Sequence, residues 1–181
     1  MLKSGIRLIS AVAIILLAGA ANAQNSFEEL SGKFLIDLPG GYELAPQKFP
    51  ILYQFSGPAG QIMMLFEEDG ADLAESYQSA LSNLDGTVKD PKPVAPVVTM
   101  TLNGSRAKWG VYKGTVERDG KAVPIYAYVG SMLIDDGSVF FLSFLSEENQ
   151  PKWGDKITNA FHSLRNLDSP LTGARDVQPA G

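Results

Sequence analysis

The chain has no cysteine and a single histidine among its 181 residues. Without cysteine there is no disulfide, no thiol nucleophile, no thiolate metal ligand and no site for lipid attachment at an N-terminal cysteine. With His162 alone, any Ser–His–Asp arrangement has one possible base, and that residue is badly placed. It falls in a run whose apolar residues Trp153, Ile157, Ala160, Phe161 and Leu164 recur at i, i+4, i+7, i+8 and i+11, one face of a helix. At about 100° per residue, His162 sits roughly 140° from Ile157, on the solvent side. The glycines form neither phosphate-cradling pattern, Gly-x-x-x-x-Gly-Lys-Ser/Thr or Gly-x-Gly-x-x-Gly, and no calcium loop of the Asp-x-Asp/Asn-x-Asp/Asn-Gly type is present.

Membrane-spanning runs are scarce too. The apolar stretch Leu8 to Ala20 is thirteen residues, whereas a helix needs roughly 20 to cross a bilayer. Lys3 and Arg7 precede it and Ala21-Asn22-Ala23 follows it, which reads as a signal peptide cleaved after Ala23. The expected mature chain starts at Gln24, carries no transmembrane segment, and is periplasmic or secreted. Losing Lys3 and Arg7 moves the net charge from −5 to −7. An acidic chain gains little from counterion release on nucleic acid, so no nucleic-acid partner is expected. At this length one core suffices without disulfide staples.

What is present is a rhythm of strands and turns. Residues 24–32 read as a lead-in with a helical turn around Phe27 and Leu30, and 33–167 as a single α+β domain. "KFLIDLPGG" is a strand and turn, and the runs 51–57 and 61–68 form a hairpin across Gly57-Pro58-Ala59-Gly60. Leu73, Tyr77, Ala80, Leu81 and Leu84 then switch to helical spacing, with Asp69 or Asp72 as cap and Gly86 as stop. "KDPKPVAP" (89–96) is a stiff, extended connector. Asn103-Gly104, Asp119-Gly120 and Asp135-Asp136-Gly137 punctuate a meander of hairpins. The last strand, Val139 to Leu145, is apolar on both faces and therefore central. The second helix follows, with Asn149 as cap and Pro151 in its first turn. The expectation is a largely antiparallel sheet of six to seven strands flanked by two main helices, and residues 168–181 a tail.

Three groups of side chains have chemical potential. Glu67, Glu68, Asp69 and Asp72 cluster where a strand meets a helix, and paired carboxylates can serve as acid and base or hold Ca²⁺. Acids at a helix N-terminus are also what the helix dipole selects. Met63, Met64, Met100 and Met132 offer soft thioethers, but on interior strands they read as core filler. Alternation on two strands places Tyr112, Tyr126 and Tyr128 on one sheet face with Lys108 nearby. Such a face is either a binding surface with hydroxyl handles or a layer beneath a helix. These four are the candidate binding residues; no catalytic residue, metal site or cofactor is expected.

The order of elements and the segments "F-x-I-x-L-P" at 34–39, "L-x-G" at 102–104 and "F-x-S-L" at 161–164 resemble the PsbP-like fold. That group includes Ran-binding Mog proteins and bacterial DcrB-type envelope proteins, and the likeness runs over about residues 33–167. The resemblance implies a helix-flanked antiparallel sheet in non-catalytic accessory or binding proteins. It transfers no functional residue, and the absent cysteine departs from the lipoprotein pattern of the DcrB type. The expected function is that of an exported accessory protein of the bacterial envelope, acting on another envelope protein. The alternative is a module that binds a small apolar molecule or lipid at the tyrosine face; an enzyme built on the carboxylates ranks third.

Overall fold

Asp119 and Gly120 adopt φ of 53° and 72°, the left-handed conformations that a two-residue hairpin loop demands. They pair Arg118 with Lys121 and set the register of the longest hairpin in the protein. The computed structural model describes residues 25–29, 32–46 and 52–167, so the expected signal peptide (1–23) and the expected tail (168–181) lie outside the described residues. The elements run β1 (Asn25–Glu28), β2 (Phe34–Leu38), β3 (Glu43–Leu44), β4 (Leu52–Ser56), β5 (Ile62–Asp69), α1 (Leu73–Thr87), β6 (Lys89–Pro93), β7 (Val98–Leu102), β8 (Ser105–Arg118), β9 (Lys121–Ile134) and β10 (Gly137–Ser146). A 3-10 turn (Glu147–Asn149), α2 (Gln150–Ser163) and β11 (Arg165–Asn166) follow.

The fold is α+β. An eight-stranded sheet has the order β3-β4-β5-β10-β9-β8-β6, with β7 also on β8, and a three-stranded sheet has the order β1-β2-β11. Among the described residues every pairing is antiparallel. The strand β10 is interior, as its two apolar faces require. Val139, Phe141 and Leu145 enter one core with α2, and Phe140 and Leu142 enter the other with α1. Met63, Met64, Met100 and Met132 sit in or against these cores.

Four local expectations are corrected. Residues 25–28 are a strand, not a helical turn, because β2 offers them an open edge. The proline-rich segment is not a bare connector: β6 pairs with the outer edge of β8 through Lys89, Lys92 and Pro93, with a register shift between the lysines. Pro91 and Pro93 donate no hydrogen bond and so suit an edge. Gly86 does not stop α1. The helix ends one residue later, where extended Val88, 3% exposed, turns into the core and donates to Leu84 O. Asn149 makes no side-chain cap, because the 3-10 turn holds its backbone helical; its Nδ2 donates to Ser146 Oγ at 2.9 Å instead.

The α1 start follows the sequence. Asp72 Oδ1 accepts from the amides of Ala74 and Glu75 at 2.8 and 2.9 Å, and Glu75 Oε2 accepts from the Asp72 amide at 3.2 Å. This reciprocal box satisfies first-turn amides that have no partner in the helix.

The helices press closely on the sheet, each through a glycine. A Cβ on Gly130 would strike the Phe161 ring of α2, and one on Gly110 would lie 2.6 Å from the Tyr77 hydroxyl of α1. Gly154, unfavourable inside a helix by about 1 kcal/mol, leaves room for the hydroxyl of Tyr128, which a Cβ would meet at 2.7 Å.

Candidate functional site

The tyrosines divide between the two faces of the sheet. Residues directly opposed in an antiparallel pair share a face, and the register sets Tyr112 against Ala127, Val111 against Tyr128, and Lys113 against Tyr126. Tyr126 and Tyr128 therefore lie with Trp109 on the α2 side, and Tyr112 and Lys108 on the α1 side. Tyr112 is buried with its hydroxyl 3.2 Å from that of Tyr77, and the Lys108 ammonium stands 4.7 Å from the centre of the Tyr77 ring. Tyr128 is 2% exposed beneath α2. Burial raises its pKa and those of Tyr77 and Tyr42 above the ordinary tyrosine value. Only Tyr126 is half-exposed, beneath the Lys113 ammonium. The four candidates do not form one surface. A two-residue loop that pairs 118 with 121 must pair 112 with 127, so the Asp119-Gly120 turn already carried this information.

Strand alternation likewise separates the acids. Glu67 is buried in an ion pair with Lys33, which Asp69 also contacts at 3.3 Å; the Glu67 hydrogen bond is the main cause that lifts the Lys33 pKa to about 12. Asp72 is the helix cap, and Glu68 faces the opposite way from Glu67. Among the described residues no three acids or histidines come together as metal ligands. His162 is exposed.

The surface that stands out is the α1 side. Helix α1 lies across β6, β8, β9 and β10, leaving β4 and β5 beside it with half-buried Met64 and Phe66 and with Ile62 38% exposed. An open groove of about 730 Å³ runs between this strip and the helix. Phe66, Phe140 and Glu68 form its floor, and Glu75, Gln78 and Ser82 of α1 one wall. The two phenylalanine rings stack at 5.1 Å with an interplanar angle of 15°. Glu68 Oε2 and the Oγ of Ser138 are buried without hydrogen-bond partners, and the two residues are direct cross-strand neighbours. No local pattern in the sequence announces this groove; it depends on where α1 crosses the sheet.

Past the C-terminal end of α1 is a second, more enclosed concavity of about 320 Å³. Ile62, Val116, Val123, Ile125 and Phe144 line it, and Arg118 is the one basic residue around it among the described residues.

No protein-family model matches the chain, and no curated protein matches it in sequence. Its fold is nonetheless found among solved structures. The solution structure of cyanobacterial PsbP (CyanoP) from Synechocystis sp. PCC 6803 superposes with a TM-score of 0.61 over 84% of this chain and 98% of that one, at 9% identity. A crystal structure from Bacteroides thetaiotaomicron VPI-5482 gives 0.50 over 80% of this chain and 49% of that one, also at 9% identity. LpqN of Mycobacterium tuberculosis, described as involved in cell envelope biogenesis, gives 0.49 over 81% and 90% at 13% identity. The architecture is PsbP-like, and at these identities the likeness is one of fold.

Proposed function

We propose that this protein is a non-enzymatic, exported accessory factor of the bacterial envelope that works by binding another protein, and that the α1 face is where it binds. The observation that carries this reading is the unequal cover of the large sheet. Its other face is closed by α2 and residues of the three-stranded sheet, which share one core. Among the described residues the α1 face has a single helix and an uncovered strip beside it, wide and open enough for a partner's helix or extended segment to complete the layer. The PsbP-like architecture supports the same reading as a resemblance of fold.

A photo-crosslinking side chain at Gln78 or Ser82, introduced into the protein in its own envelope, is expected to yield a discrete crosslinked polypeptide. The same probe at Lys121, at the tip of the long hairpin, is expected to yield none. Absence of a product from the groove positions would defeat the proposal. Export is tested by sequencing the N-terminus of the mature protein, expected at Gln24.

The enclosed concavity beyond α1 favours a second reading, a site for a small apolar molecule. Its volume is at the lower end of the range for ligand pockets, and its walls are aliphatic and aromatic. Native mass spectrometry of the protein from its own envelope should show an added mass that disappears in Val123→Trp; an unliganded spectrum refutes this alternative.

A further inference from the structure

Folded proteins match nearly every polar group they bury, because an unmatched one has lost water and gained nothing. Two neighbouring groups on the α1 face break this rule. Glu68 Oε2 and Ser138 Oγ are both buried and unpartnered. Ser138 is wholly buried, and its pairing with Glu68 sets the two on the same face of adjacent strands. A hydroxyl rotates to suit a partner, but a carboxylate oxygen requires a donor. Lys33 does not supply it, being engaged with Glu67 and Asp69. Nor does the groove wall: Glu75 brings a second negative charge, and among the described residues no lysine or arginine lines the groove.

We infer that the groove receives a basic side chain of the partner polypeptide, arginine in preference to lysine. This deepens the protein-binding reading above and rests on it. Charge complementarity selects this occupant. Glu68 offers an unmatched anionic acceptor, and Phe66 and Phe140 offer aromatic surface directly beside it. A guanidinium stacks on an aromatic ring through its flat face while donating hydrogen bonds from its edge, which an ammonium cannot do. Its N–H edge can meet the Glu68 carboxylate, which lines the groove. The cost of keeping a buried carboxylate oxygen unmatched in the free protein is then the counterpart of a charge-assisted bond in the complex.

The test uses a phage-displayed library of random peptides panned against the exported protein, with Glu68→Gln and Ser82→Trp as comparison variants. Ser82→Trp fills the groove. Peptides retained by the wild type and lost with Ser82→Trp are expected to be enriched in arginine beside apolar residues, and to bind Glu68→Gln about ten-fold or more weakly. Glu68→Gln is expected to melt at or above the wild-type temperature, since it removes an unmatched charge. Groove-binding peptides without a basic residue, or insensitive to Glu68→Gln, would overturn the arginine inference and leave protein docking standing. A fall in melting temperature would overturn it too, by assigning Glu68 a structural role. Failure to recover any peptide sensitive to Ser82→Trp would overturn the docking reading itself.

Discussion

Single atoms decide how closely the layers of this protein approach. Gly130 lies opposite Trp109 in the β8–β9 ladder, and the Phe161 ring rests where its side chain would be. Phe161 is fully buried and stacks on Trp109 at 4.4 Å, so it has little freedom to move aside. Gly130→Ala is expected to cost about 1–3 kcal/mol, the usual penalty of overpacking, read as a lower urea midpoint at unchanged slope. The buried phenols make a second prediction at this scale. Tyr42, Tyr77 and Tyr128 have pKa values raised chiefly by burial, so the native state keeps protons that the unfolded chain releases near pH 10. Below that pH both states are neutral and their contribution to stability is complete. Above it the unfolded state binds fewer protons, and each such tyrosine removes about 1.4 kcal/mol per pH unit until its native pKa is reached. Lys33, held near 12 by Glu67, loses its contribution in the same direction as pH rises through that value. Tyrosinate absorbance from the three phenols should appear only together with the loss of circular dichroism.

Among the elements, α1 is both cover for one core and wall of the groove. Its start depends on the Asp72–Glu75 box, and Asp72→Ala is expected to lower stability by about 1 kcal/mol and to speed amide exchange at Ala74 and Glu75. Both helices and the long hairpins were legible in the sequence, because periods of 3.6 and 2 and the Asp-Gly and Asn-Gly turns are local signals. The sheet edges were not. The edge strand β6 was hidden by its own prolines, which read as a linker but also protect an exposed edge from pairing with another chain. In β1, four residues show no alternation and form a strand only because β2 lies alongside. The faces of the tyrosines were legible through the turn arithmetic, whereas the groove was not, since the path of a helix over a sheet is a tertiary outcome.

For the molecule as a whole, the large sheet belongs to two cores at once. Strands β9 and β10 send alternate residues into each, so neither core can be lost while the other keeps its scaffold. Unfolding should therefore be a single transition. The two tryptophans, Trp109 and Trp153, both sit in the α2-side core, and their fluorescence should share one midpoint with far-ultraviolet circular dichroism, which also detects α1. Two midpoints would mean that the α1 layer melts by itself. The α2-side core, built around Phe34, Trp109, Phe141 and Phe161, is the better closed of the two. The division suits the proposed function: one face is packed for stability, and the other stays open for a partner.

One turn residue links distant parts of this scaffold. Asn103 adopts a φ of 48°, and its Nδ2 donates to the carbonyls of His162 and Leu164 at 3.0 and 2.9 Å, tying the β7–β8 turn to the end of α2. Glycine in its place would keep the turn and lose the tie; aspartate would set a carboxylate against two carbonyl oxygens. Asn-Gly is also the dipeptide most prone to deamidate, because the small Gly104 leaves its backbone nitrogen free to attack the asparagine amide, releasing ammonia through a cyclic imide. The carbonyls that hold the amide of Asn103 thus guard it against chemical ageing. Should α2 loosen, the resulting aspartate or isoaspartate would prevent the tie from forming again, leaving a lasting mark in the chain of an excursion that would otherwise be reversible.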